Sequence, residues 1–224
     1  MSGICRCGND VSGFCPGPLA CLENLTFAQA INRALDESLA DPSVLVCGQL
    51  VKYKVAGITT GLYAKYPAQV ITYPISEALM NASAMGLSLA GKRPVMIHER
   101  MDFLACGMDA LVNHIPIWPA KCGVKLPLVI LAIVGKGHGQ GPQHSKNLAP
   151  WFENLEGWTV VQPDNPQSAY HWMRASISGD SPVMYVVHRE FLDRTERVRI
   201  NTSNYIGLCG ASQRHEQAFY EKRN

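Results

Sequence analysis

The run LPLVILAIVG, Leu126 to Gly135, constrains the fold more than any other stretch of this chain. It is apolar without a break, so a strand made from it must be covered on both faces. Shorter runs of the same character recur: SVLVCG, AQVITY, RPVMIHE, WTVVQP and SPVMYVVH. Between them lie stretches with helical character: LTFAQAINRALDESLAD, GITTGLYAKYP, Ser76 to Leu89, DFLACGMDALVNHI, SKNLAPWFENLEG and DNPQSAYHWMRASIS. Thr26 is placed to cap the first helix; Asn165 and Pro166 are placed to start the last. Strands alternating with helices in this way predict an α/β fold of three layers, a mostly parallel sheet with helices on both faces. Sites in such sheets form at the carboxyl ends of the strands, so the residues just after each strand carry the functional argument.

The chain divides into a Cys/Gly/Pro-rich leader (1–24), the α/β domain (25–190) and a polar, basic tail or partner-packing arm (191–224). With 224 residues, 47% of them hydrophobic and 17% charged, one well-buried domain is the expectation. Twenty basic against eighteen acidic residues leave no field suited to nucleic acid or a membrane surface. No apolar run reaches membrane-span length and the start, MSGICRCGND, has no apolar signal core, so the expected location is the cytoplasm. Cys5, Cys7, Cys15 and Cys21 crowd the leader as C-x-C followed by singles, not as the paired C-x-x-C knuckles of zinc ribbons. Reduced thiols are the plain reading, and a metal or cluster site is the alternative. The sequons at Asn24, Asn81 and Asn201 carry no meaning in that compartment.

Three loops that follow strands stand out. In YPISE, Ser76 is a helix cap and Glu77 a first-turn acid, a placement worth ~0.3–1 kcal/mol through the helix dipole. The helix behind it, ALMNASAMGLSLAG, is small and nearly apolar all round, which predicts burial and close approach by another backbone or a ligand. A carboxyl at such a mouth is expected to be partly desolvated, which raises its pKa and lets it act as a hydrogen-bond donor or general acid. In HERMDF, His98 to Phe103, the start of H-E-x-x-H is present, but Asp102 stands where the second histidine belongs and the segment follows a strand, so the zinc-protease reading fails. Asp102 as a helix cap with Phe103 packing is the plain alternative. In GKGHGQGPQHS the glycine spacing breaks the dinucleotide pattern at Gln140, and no Walker sequence follows. His138 and His144 in this loop are either solvated or placed for acid/base or anion-binding work.

Taken in order, these residues resemble the pyrimidine-binding domain of thiamine-diphosphate enzymes, and most of all the transketolase-like beta chain of the decarboxylase component of 2-oxo-acid dehydrogenases. The likeness runs from about Leu25 to Glu190 through YPISEALMNASAMGLSLAGKRPV, MDFLACGMDALVNH, GPQHSKNLAPWFENLEGWTVVQPDNPQSA and SISGDSPVMYVVHRE. It implies that Glu77 hydrogen-bonds a ring nitrogen of the cofactor's aminopyrimidine, favouring the imino tautomer that takes the thiazolium proton and leaves the ylid. Phe103 matches the aromatic residue against the pyrimidine ring, Ile75 lies beside the same pocket, and His144 matches the active-site histidine. The resemblance also implies a potassium-like ion on the carbonyls of Leu128, Ser176, Ile177, Gly179 and Ser181.

Departures from the pattern matter too. Gln49, in CGQL, stands where such beta chains usually carry an acid, and an amide cannot relay protons. The loop IPIWPAKCG is altered. The chain ends near where the family's carboxy-terminal domain begins, which sets the expectation that it does not join a standard multienzyme complex. No G-D-G…N sequence is present to bind Mg²⁺ and diphosphate. An alpha-type partner is expected to bring both, in an α2β2 heterotetramer with thiamine diphosphate at the interfaces and a small 2-oxo acid or ketose as substrate. The expected chemistry is 2-oxo acid decarboxylation with acyl transfer. Transketolase-like ketol transfer in a sugar or natural-product pathway and a non-catalytic scaffold subunit are the alternatives.

Overall fold

A computed structural model describes residues 20–201, with side chains for 22–200. The leader cysteines Cys5, Cys7 and Cys15, and the whole of the tail after Asn201, lie outside the described residues. Residues 24–198 form one compact unit. Its strands are β2 (Val44–Gly48), β3 (Val70–Thr72), β4 (Arg93–His98), β5 (Val129–Val134), β6 (Thr159–Val161) and β7 (Val183–His188). They form one parallel sheet in the order β3-β2-β4-β5-β7-β6. The apolar run that predicted a doubly covered strand is β5, near the middle, and all six of its residues are buried. Two further strands, β1 (Ala20–Thr26) and β8 (Thr195–Asn201), pair with each other.

Side-chain alternation divides the sheet between two helical layers. Cys47, Met96, Ile130, Ala132, Met184 and Val186 face a core shared with α3 (Glu77–Leu89) and α5 (Ala149–Glu153). The opposite face meets α6 (Pro166–Ser178), where the buried Tyr185 hydroxyl donates to the Ala169 carbonyl at 2.8 Å. α6 packs along α1 (Phe27–Ser38), whose buried stripe is Phe27, Ala30, Ile31, Ala34 and Leu35. The predicted caps hold: Thr26 and Gln29 form a reciprocal capping box at α1, and Asn165 accepts from Ser168 with Pro166 in the first helical position of α6.

The structure differs from the sequence expectations at three places. GITTGLYAKYP yields only one helical turn, α2 (Leu62–Lys65), after a run of turns. DFLACGMDALVNHI is no α-helix but a 3₁₀ segment, Met101–Gly107, followed by a wider turn, Ala110–His114, with α4 (Trp118–Cys122) beyond it. TERVRIN, within the expected tail, is strand β8, in which Val198 and Ile200 are buried on either side of the exposed Arg199.

Candidate active site

The chain runs outward from β2 to β3, then returns to place β4 on the other side of β2. This reversal opens a crevice at the carboxyl ends of β2 and β4, the position where open α/β sheets take ligands. Each of three strands delivers one sequence-predicted residue to it. Gln49 follows β2, Glu77 opens α3 after β3, and Phe103 sits in the 3₁₀ segment after β4.

Glu77 is half-buried in the first turn of α3, with Ser76 Oγ accepting from the Leu79 amide at 3.4 Å. Gln49 Nε2 donates to Glu77 Oε1 at 3.3 Å and also approaches Met80 Sδ at 3.7 Å. The backbone that aims Gln49 is unusual on both sides. Gly48 has φ +149°, and a Cβ there would strike the Ile97 carbonyl of the neighbouring strand. Leu50 has φ +55°, a left-handed conformation costing a side-chain-bearing residue about 1–2 kcal/mol. Such strain persists where the surroundings enforce it, often at functional sites.

A buried network fixes Glu77 relative to Phe103. One turn along α3, Asn81 Nδ2 donates to the Gly107 carbonyl at 3.3 Å, while its Oδ1 lies 2.9 Å from His98 Nε2. Burial holds the His98 pKa down at about 4, so the ring is neutral at ordinary pH and the bond to Oδ1 assigns the proton to Nε2. Gly107 lies so close to α3 that a Cβ would come within 2.7 Å of the Glu77 carbonyl oxygen. The 3₁₀ segment is thereby clamped to the helix mouth. At its outer end the Phe103 ring meets His144 edge-on, centroids 5.3 Å apart.

The expectation that α3 is buried all round is corrected. Met80, Asn81, Ala84, Met85 and Ser88 are buried, but Ala78, Leu79, Ala82, Gly86 and Leu89 are exposed. Around Glu77 the exposed surface is apolar: Ile75 is 84% exposed and Leu79 47%, with Phe103 at 36%. The carboxylate therefore stands at an open apolar mouth, not in a closed pocket.

At the carboxyl ends of β4, β5 and β7, a polar cavity of about 240 Å³ is lined by Lys54, Glu99, Arg100, His138, Gln140 and Arg189, among others. Arg100 is held by Gln140 Oε1, at 2.9 Å from Nε, and by the Glu99 carbonyl, at 2.6 Å from Nη1. Its pKa is lowered by burial first and by the like charge of Arg189 second. Like charges brought together at strand ends suit an anion. His138 lines this cavity and lacks the contact that His144 makes with Phe103. Sequence reasoning missed Arg100 and Arg189, although one stands two residues after β4 and the other directly after β7, the positions singled out for inspection.

Two of the five carbonyls that the resemblance assigns to a potassium-like ion, those of Ile177 and Gly179, accept hydrogen bonds from Arg93. Arg93 Nη1 donates to the carbonyls of Ile177, at 2.9 Å, and Gly179, at 2.6 Å, while Nη2 pairs with Asp180 at 3.0 Å. The Leu128 carbonyl accepts from the Val183 amide at 3.0 Å. A guanidinium thus brings positive charge to the Ile177 and Gly179 carbonyls. Among the described residues no cluster of His, Cys, Asp and Glu is arranged to hold a metal, and no helix is long and apolar enough to cross a membrane.

A carboxylate at a helix mouth, with an aromatic ring and a histidine in contact nearby, thus lies at the strand ends of a parallel α/β sheet. The model of the transketolase pyrimidine-binding domain matches residues 23–194, and the chain belongs to that family. It is 31% identical over 180 residues to the beta subunit of acetoin:2,6-dichlorophenolindophenol oxidoreductase from Cupriavidus necator, covering 74% of this chain and 53% of that protein. It is 32% identical over 173 residues to the rice (Oryza sativa subsp. japonica) mitochondrial pyruvate dehydrogenase E1 component subunit beta-2, covering 75% and 46%. The chain therefore spans about half the length of the curated relatives it matches. Among solved structures, a split-gene transketolase in an inactive beta4 tetramer superposes with TM-score 0.59 at 23% identity, over 74% of this chain and 51% of that one. Transketolase from Leishmania mexicana gives TM-score 0.63 at 15% identity, over 82% and 27%. Both confirm the fold.

Proposed function

We propose that this chain is the beta-type, pyrimidine-binding half of a split thiamine-diphosphate enzyme that acts on bonds next to a carbonyl, by 2-oxo acid decarboxylation with acyl transfer. The observation that carries this reading is the Glu77 carboxylate, held by Gln49 at an open apolar mouth beside Phe103 and His144. These residues fit the cofactor's aminopyrimidine: Glu77 offers an acceptor, Phe103 and Ile75 offer exposed apolar surface, and Gln49 orients Glu77. When bound, thiamine diphosphate supplies the nucleophilic carbon that protein side chains lack. Glu77 holds and moves a proton at the ring nitrogen, and His144 handles a proton or an oxygen on the substrate side.

Several features support a partner chain. The exposed apolar surface at Ile75 and Leu79 calls for cover. The matched relatives are named as beta subunits, and the split-gene transketolase beta4 tetramer is named inactive. An alpha-type chain bringing diphosphate and Mg²⁺ completes this reading, as an α2β2 assembly in the cytoplasm. Potassium at the Ile177 and Gly179 carbonyls would have to share them with Arg93, so the reading does not depend on it. The basic cavity favours an anionic substrate, which a 2-oxo acid is through its carboxylate. It also keeps ketol transfer as the second reading, for a ketose that carries an acid group. The scaffold alternative does not explain why Glu77, Gln49, Phe103 and His144 converge.

The test is reconstitution with the companion chain, thiamine diphosphate and Mg²⁺. Turnover and the cofactor-induced spectral change should require both chains and disappear in Glu77→Gln. Arg100→Ala should raise KM for the anionic substrate more than it lowers kcat. A Glu77→Gln complex with both signals intact would refute the catalytic reading.

A further inference from the structure

Two buried polar atoms near the histidine have no hydrogen-bond partner: Asp102 Oδ2 and His144 Nδ1. Both belong to the seam where the Met101–Gly107 segment meets the short Pro142–His144 turn. Asp102 is 8% exposed, and its other oxygen, Oδ1, accepts the Lys146 amide at 3.0 Å, two residues past His144. Phe103, the next residue, makes the ring contact with His144. The nearest cation along the chain, Arg100, feels the Asp102 charge, but its hydrogen bonds go to Gln140 and the Glu99 carbonyl and none reaches Asp102 Oδ2.

A buried carboxylate oxygen without a donor costs about 1–3 kcal/mol or more, and native structures rarely leave one so. An imidazole nitrogen buried without a partner is a second cost in the same seam. Each group is what the other lacks: the carboxylate accepts, and a ring nitrogen carrying hydrogen donates. Either a direct bond or one bridging water removes both deficits. A carboxylate behind a histidine also selects its tautomer, placing the hydrogen on the nearer nitrogen and leaving the farther one as the base.

We propose that Asp102 is a positioning residue for His144. Through Oδ1 it anchors the loop at Lys146. Through Oδ2, directly or by one water, it takes the Nδ1–H of His144, which leaves Nε2 bare to accept a proton or a substrate hydrogen. Its catalytic consequence rests on the function proposed above, but the arrangement itself rests on this chain alone. Asp102 is thus more than the helix cap that the sequence suggested, since the segment it stands in is not an α-helix.

The experiment is ¹⁵N NMR of the imidazole nitrogens in the full chain, without cofactor, at a pH above imidazole titration. His144 is assigned by the signal lost in His144→Gln. The expected result is a protonated Nδ1 and a bare Nε2. Asp102→Asn keeps an oxygen for the Lys146 amide but presents an amide donor instead of the second oxygen. It should move the tautomer ratio toward Nε2–H by about tenfold, the effect of losing one hydrogen bond to a charged group. A wild-type His144 protonated at Nε2 overturns the proposal whether or not the variant folds. So does an Asp102→Asn ratio unchanged within about twofold. Neither result depends on turnover, so failure here is distinct from failure of the catalytic reading.

Discussion

Gly107→Ala adds one methyl group where the structure has no room for it. The new Cβ would lie 2.6 Å from Asn81 Nδ2, 2.7 Å from the Glu77 carbonyl oxygen and 2.8 Å from the Glu77 carbonyl carbon. Two of these atoms are backbone in the first turn of α3 and cannot rotate away. Restoring ordinary contact requires the Met101–Gly107 segment and the helix mouth to part by roughly 0.7 Å. Overpacking of this kind costs about 1–3 kcal/mol. In a chain of this size, that lowers Tm by about 2–4 °C per kcal/mol. The same displacement separates Phe103 from Glu77, and a shift approaching 1 Å at a catalytic group costs up to ~10²-fold in rate. Gly86→Ala is the internal control. Gly86 lies in the same helix, exposed, and a Cβ there meets nothing within 4 Å. It should gain about 0.5–1 kcal/mol, the helix-interior difference between the two residues. Thermal unfolding of both variants, with kcat of their reconstituted complexes, reads the contrast. A Gly107→Ala variant as stable and active as wild type would refute the clamp between the 3₁₀ segment and Glu77.

Three further outcomes follow from the same geometry. His98 is pushed from the ordinary 6.5 down to about 4 by burial, so between those values the unfolded chain binds the proton and the folded chain does not. Its contribution is full above pH 6.5 and fades as pH falls toward 4, a loss of about 3 kcal/mol that denaturant titrations should show and His98→Gln should flatten. Gln49→Glu puts a second carboxyl within hydrogen-bond range of Glu77, and such a pair retains a proton above the usual carboxylate range. Relative to wild type, that variant should lose stability as pH rises from about 5 to about 8, since the unfolded chain then holds fewer protons. Burial raises the Cys47 thiol to about 12, whereas Cys106 and Cys122 are exposed. Peptide mass spectrometry after alkylation of native protein should find Cys106 and Cys122 modified and Cys47 protected until denaturation.

The sheet was legible because its strands are short apolar runs with no competing helical length, and β5 alone required cover on both sides. The caps at Thr26 and Asn165 were legible because a capping side chain acts within three residues of itself. The loops that carry Glu77, Phe103 and His144 could be picked out because each follows a strand, while the roles of Phe103 and His144 came only from the family resemblance. The contacts that give them geometry span the chain and leave no local trace. Asn81 and His98 pair across a helix and a strand, and the Arg93 guanidinium reaches carbonyls more than eighty residues away. DFLACGMDALVNHI keeps helical spacing in its side chains, yet Gly107 must nearly touch α3, and the backbone there winds more tightly. Arg100 stood inside a segment tested against a protease motif, and its place at a strand end went unused. The β8 strand had a signal, the alternation of Val198, Arg199 and Ile200, set among charges that made the segment look like a tail.

In the proposed function Glu77 activates a cofactor whose other end is held by a second chain. Deuterium exchange at the thiazolium carbon of thiamine diphosphate, bound with Mg²⁺ to the complex of this chain and its companion, tests it most directly. Exchange should be fast in the wild-type complex, unaccelerated by either chain alone, and slower by about 10²–10⁴-fold in Glu77→Gln, the usual scale for removing a positioned acid or base. Exchange as fast in Glu77→Gln as in wild type, or full acceleration by this chain without a companion, would contradict it.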